Sequence, residues 1–119
     1  MSRMGRRGAI AGPKISNLTV AILGAAAATS ASNPYNFTTL TGSVTAGGSG
    51  GPFTYAWSVV GVTGAGLWTI PAGQGTAAPT VRVSTTDPDV LTATLTLTVT
   101  ETATGATGTI TRTLTFTKV

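Results

Sequence analysis

The chain has no cysteine, so no disulfide can staple it and no thiolate is on hand as nucleophile or metal ligand. It has no histidine either, which removes the commonest general base together with the commonest metal ligand. Carboxylates are nearly missing: Asp87, Asp89 and Glu101 are all there are. An active site would have to be assembled from very little, and no catalytic residue, metal ligand or cofactor is expected. The apolar run at residues 18–28 stops short of the roughly 20 residues that a bilayer span requires, so no membrane segment is expected. Helical patterning is lacking too. No segment keeps an i, i+3, i+4, i+7 apolar set free of glycine and β-branched residues.

What is present points to strands. Threonine is the commonest residue, at 26 of 119, and glycine is abundant with 16. The β-branched threonine side chain favours pleated backbone, and glycine supplies turns. The length suits one domain, able to bury roughly two-thirds of its unfolded surface. Charge is scarce and unevenly placed. Arg3, Arg6, Arg7 and Lys14 hold the whole formal excess of +4, while Arg82, Arg112 and Lys118 balance the three acids. The chain therefore reads as a neutral body, residues 15–119, with a basic extended arm, residues 1–14.

Residues 14–31 superficially resemble a secretory signal, with a positive start, an apolar stretch and small residues around Ala31. The expectation is instead that the arm is retained, that residues 15–23 form the first strand and that the alanine run is its exit. Residues 37–46 read as one strand with Leu40, Gly42 and Val44 on a face. The glycine-rich residues 47–51 read as a flexible connection. Phe53, Tyr55, Trp57 and Val59 then alternate on one face of a strand. Residues 61–75 look irregular, with Leu67, Trp68 and Ile70 as a short edge segment, and Val81 and Val83 mark a further strand. Residues 90–102 are the clearest element. Leu91, Ala93, Leu95, Leu97 and Val99 alternate with Thr92, Thr94, Thr96, Thr98 and Thr100, as a half-buried antiparallel strand requires. After a turn at Thr104 and Gly105, Ile110, Leu114 and Phe116 share a face that Arg112 interrupts, either at an edge or with a snorkelling stem.

Asp87 and Asp89 flank Pro88, which suits a turn better than a Ca²⁺ site needing six to eight oxygens. Residues 47–51 carry no Gly-Lys-Ser/Thr and precede a strand, so they are a loop rather than a phosphate cradle. Phe53, Tyr55 and Trp57 share one face and are expected in the core. Trp68, in its glycine-rich surroundings, is either a partner contact or plain edge packing.

Residues 51–116 resemble the immunoglobulin-like and PKD-like modules of phage virion proteins and bacterial surface proteins. The resemblance rests on Phe53, Tyr55, Trp57 and Ser58, on Pro79 and Val81, on the alternation through Val99, and on the Thr104-Gly105 turn with its final strand. It departs from the family in lacking the inter-sheet cysteine pair and in having no tyrosine at residues 91–96. It implies an all-β, immunoglobulin-like antiparallel β-sandwich of about seven strands, with Trp57 filling the space between the sheets. It further implies a virion accessory protein, most simply a phage capsid decoration protein held by its arm. Its partner would then be the major capsid protein or another virion protein, met in many copies on a symmetric assembly. The arm residues expected to make the contact are Arg3, Met4, Arg6, Arg7, Ile10 and Lys14. The alternatives are a secreted or surface-attached carbohydrate- or cell-surface-binding module and a minor tail component. Nucleic-acid binding is the weaker reading, because four cations without interleaved aromatics give only a salt-sensitive, unspecific contact.

Overall fold

A computed structural model describes residues 17–86 and 88–119. Among the described residues there are nine strands and no helix: β1 (Thr19–Leu23), β2 (Ala27–Ser30), β3 (Tyr35–Phe37), β4 (Thr41–Ala46), β5 (Phe53–Thr63), β6 (Leu67–Ala72), β7 (Thr80–Ser84), β8 (Asp89–Glu101) and β9 (Thr107–Lys118). They form a four-stranded sheet in the order β2-β9-β8-β5, a three-stranded sheet β3-β7-β6 and a two-stranded pair β1-β4. All pairings are antiparallel except that of β2 with β9.

The period-two pattern of residues 90–102 fixes the largest sheet. Leu91, Ala93, Leu95, Leu97 and Val99 have no exposed surface, and the threonines between them lie on the opposite face. The register sets Thr100, Thr98, Thr96, Thr94 and Thr92 of β8 against Thr107, Thr109, Thr111, Thr113 and Thr115 of β9. Hydroxyls thus coat the outer face, which explains how a chain so poor in charge stays wetted. Val20, Ile22, Phe37, Trp68, Val81 and Val83 of the smaller sheets, with Leu18 and Leu40 beside their strands, join Trp57, Leu114 and Phe116 in one core. The Tyr35 ring stacks on Phe116 with centroids 5.1 Å apart, linking β3 to β9. Phe53, Tyr55 and Val59 pack against the same core, half-buried.

Three local readings change. The alanine run is not merely an exit: after a turn at Gly24, whose φ of 104° suits glycine alone, the chain leaves β1 and β2 runs parallel to β9. Residues 37–46 are two strands. The interruption at residues 38–40 gives the Gly24 turn its place, with the Thr39 hydroxyl accepting the Ala25 N–H at 3.3 Å, and the chain changes partner from β7 to β1. Residues 61–63 are not irregular but continue β5, while the edge segment at Leu67, Trp68 and Ile70 is a strand whose pairing with β7 shifts register between Thr69 and Ala72, with Trp68 buried and stacked on Phe37 at 6.0 Å.

Trp57 crosses between the layers. Its indole N–H donates to the Thr76 carbonyl at 2.7 Å, and its backbone N–H donates to Gln74 Oε1 at 2.6 Å. The same segment reaches β4, where the Gly42 N–H donates to the Ala77 carbonyl at 2.7 Å. Residues 73–78 therefore close the side of the molecule where β5 is the outer strand, and Gln74 caps an edge amide that could otherwise pair with a foreign strand. Arg112, on the inward face of β9, sends its guanidinium to the Ile22 carbonyl at 2.7 Å. Its charge is met at the margin of the core by a β1 carbonyl.

Removing the Trp57 side chain is expected to be the costliest single truncation on β5. Trp57→Ala should lower unfolding free energy by about 3–5 kcal/mol, read from urea titrations followed by far-ultraviolet circular dichroism. A cost under about 1 kcal/mol would mean that the indole does not fill the core.

Candidate functional site

Strand direction sorts the loops into two ends. β5 and β9 start, and β4 and β8 finish, at the end where residue 17 enters, because the Leu18 N–H donates to the Thr107 carbonyl at 2.9 Å and Thr19 lies opposite Ala46. Residues 47–52 and 102–106 are the loops of that end. The carboxyl terminus lies at the other, where the Val119 N–H donates to the Ser30 carbonyl at 3.1 Å.

Glu101 organises the first end. It continues the inward row of β8 beyond Val99, and it has no exposed surface. Among the described residues, no cation meets its carboxylate. Backbone amides and a hydroxyl do so instead: the Ser49 N–H donates to Oε1 and Oε2 at 3.0 and 2.8 Å, the Gly51 N–H to Oε2 at 2.7 Å, and the Thr104 hydroxyl to Oε1 at 2.5 Å. The loop must lie directly on the carboxylate for this. At Gly48 (φ 71°) a Cβ would come within 2.9 Å of both carboxylate oxygens. The second loop is tied to the same residue, since the Gly105 N–H donates to the Glu101 carbonyl and the Glu101 N–H to the Ala106 carbonyl, each at 2.8 Å. The Thr102 N–H adds a link to the Pro52 carbonyl at 3.1 Å. One side chain thus holds both loops. The segment that reads from sequence as a flexible connection is pinned.

The Thr104 hydroxyl bond first, and then the Gly51 and Ser49 amides, favour the ionised form and lower the Glu101 pKa from 4.5 to about 2. Burial opposes them without prevailing. A carboxylate held that low is a poor general base, so the Thr104–Glu101 pair resembles a structural lock more than an activated nucleophile. Among the described residues, no group of three or more acidic side chains is placed to hold a metal ion. The Asp89 carboxylate, at the start of β8, accepts its neighbour's N–H, from Val90 at 2.8 Å.

Of the residues singled out from sequence, Arg3, Met4, Arg6, Arg7, Ile10 and Lys14 lie outside the described residues, as does Asp87. Trp68 takes the packing alternative. Only 8% of its surface is exposed, so it has little indole to offer a partner. The exposed large apolar side chains among the described residues are instead Leu23, Val60, Val62, Leu67, Val90 and Val119. Glu101 was not singled out from sequence, although its position was a signal: a carboxylate in step with five buried apolar residues must be buried with them. No protein-family model matches the chain, and no curated protein matches it by sequence.

Because the folded pKa of Glu101 lies below its ordinary value, its contribution to stability is complete above about pH 4.5 and is lost as pH falls towards about 2. The denaturation midpoint of the wild-type protein should therefore drop steeply across that window. Glu101→Gln, whose amide presents N–H groups to donors, should lower the midpoint at pH 7 and largely flatten the acid limb. An acid limb of unchanged steepness in Glu101→Gln would remove Glu101 as its source.

Proposed function

We propose that this chain is a structural virion accessory protein, a phage capsid decoration protein anchored by its N-terminal arm and displaying an immunoglobulin-like β-sandwich. It would act without catalysis, in many copies, against the major capsid protein or another virion protein. Several observations support the sandwich reading. The order β2-β9-β8-β5 on one side, with β1-β4 and β3-β7-β6 on the other, parallels the immunoglobulin arrangement, in which the third, sixth and seventh strands share one sheet and the first, second, fourth and fifth share the other. Here β3 and β4 together stand for the second strand, and Trp57 occupies the third.

The observation that carries the anchoring role is the segregation of charge. All four excess cations lie in the first fourteen residues, and the body is neutral. Each exposed Arg or Lys contact contributes only about 0–1 kcal/mol, so one arm grips weakly, and a lattice of copies holds through the sum. A secreted module with a cleaved leader is less well supported. Cleavage near Ala31 would strip Leu18, Val20 and Ile22 from the core and remove both β1 and β2.

The test is to purify the particles and identify the chain in them by mass spectrometry, then compare the full chain with one lacking residues 1–14. Loss of particle binding by the shortened chain, with its thermal unfolding unchanged, is the expected outcome. Equal binding by the shortened chain, or absence of the chain from particles, would sink the proposal.

A further inference from the structure

The geometry points to a docking surface larger than the arm: the paired loops at residues 47–52 and 102–106, locked together by Glu101, seat against the acidic face of the virion subunit that the arm grips, and the carboxyl-terminal end points away from it. This rests on the anchoring role proposed above and adds an orientation and a second contact to it.

The first ground is covalent. Whatever path residues 1–16 take, the chain enters the body at Asn17 and Leu18, beside Thr107 and directly under the two loops. Any surface gripped near Lys14 is within a few residues' reach of them. The second is charge. Residues 47–52 and 102–106 contain no ionisable side chain, and the one carboxylate beneath them is fully covered. An acidic surface meets no exposed charge here, and the buried Glu101 charge is shared among the Ser49 and Gly51 amides and the Thr104 hydroxyl. The opposite end carries Asp89, in register with Lys118.

The third is order. Gly47, Gly48, Gly50 and Gly51 all hold positive φ, a run that would fluctuate widely if left free, since glycine keeps the most backbone freedom of any residue. Instead, the amides of Ser49 and Gly51 are tied to a buried carboxylate that also holds Thr104. A loop stabilised in one shape loses little entropy on docking. The exposed residues Ser49, Gly50, Thr102 and Ala103 then present a preformed, uncharged polar surface, while Val119 stands exposed at the far end.

The experiment titrates purified protein onto phage particles grown without this chain. Four variants are compared with wild type: Ala103→Glu at the loop end, Ser32→Glu at the far end, a folded tag fused after Val119, and the chain lacking residues 1–14. A carboxylate at position 103 facing an acidic surface should weaken binding about ten-fold or more. Ser32→Glu and the fusion should bind within about two-fold of wild type. Circular dichroism confirms that each variant is folded. If Ala103→Glu binds like wild type while the shortened chain does not, the loop surface is wrong and the arm stands. If Ser32→Glu or the fusion blocks binding, the orientation is reversed. If the shortened chain binds like wild type, the anchoring role itself fails, and this inference with it.

Discussion

The inward face of β8 carries Leu91, Ala93, Leu95, Leu97 and Val99, and none of them keeps any exposure to water. A strand with period-two alternation cannot slip by one residue without turning all five outward and bringing five threonines in. That single constraint sets the register of β9 on one side and β5 on the other, and through them the placement of Phe116, Leu114 and Trp57. The smaller sheets depend on it in turn. Phe37, Val81, Val83 and Trp68 have a surface to pack against only because β8 presents an unbroken apolar row. With each large aliphatic side chain worth about 1.5–3 kcal/mol on burial, this row outweighs any single polar contact in the molecule.

The same alternation explains why a buried carboxylate is tolerated. Glu101 occupies the next inward position after Val99, so the sheet carries it under the surface whether or not it is apolar. A carboxylate there must be hydrogen-bonded or protonated. The glycine-rich loop supplies the bonds, because small residues with positive φ let Ser49 and Gly51 turn their amides inward onto one point. Charge and loop each depend on the other. Without the carboxylate the loop loses what fixes it, and without the glycines the carboxylate would keep only the Thr104 hydroxyl as a donor. Ordering of the loop end therefore follows from strand periodicity carried one inward position beyond the hydrophobic row.

Much of this was legible in the sequence. The β8 row, the Trp57 face and the turn at Thr104 and Gly105 were readable because period-two alternation is a local signal. Arg112 was visible as an interruption, and both readings of it contain part of the answer: a stem among apolar side chains and a head at a margin carbonyl. What could not be read locally depended on partners distant in sequence. The split at residues 38–40 reflects β3 pairing with β7 while β4 pairs with β1, which no window around Leu40 reveals. Trp68 lies among glycines, and only the arrival of Phe37, thirty-one positions earlier in the chain, makes it core. Residues 47–51 look flexible because glycine has no side-chain signal. What fixes them lies fifty residues away, at Glu101.

A neutral body has a consequence for how such a molecule would dock. At physiological ionic strength, charges farther apart than about 8 Å are largely screened from one another. Lys118 and Asp89, at the far end, therefore neither steer nor oppose approach at the loop end, and the Glu101 charge there is taken up by the hydrogen bonds of the loops. In the proposed docking, attraction would come from the arm and would decay with salt. Uncharged loops contribute differently, through shape and hydrogen bonding at short range, which salt barely alters. Dividing the two tasks between an arm that finds an acidic surface and a rigid polar end that fits it needs no charge on the fold itself. A sheet whose outer face is threonine rather than lysine or glutamate suits that division, since copies crowded side by side meet as neutral, hydrated surfaces without mutual repulsion.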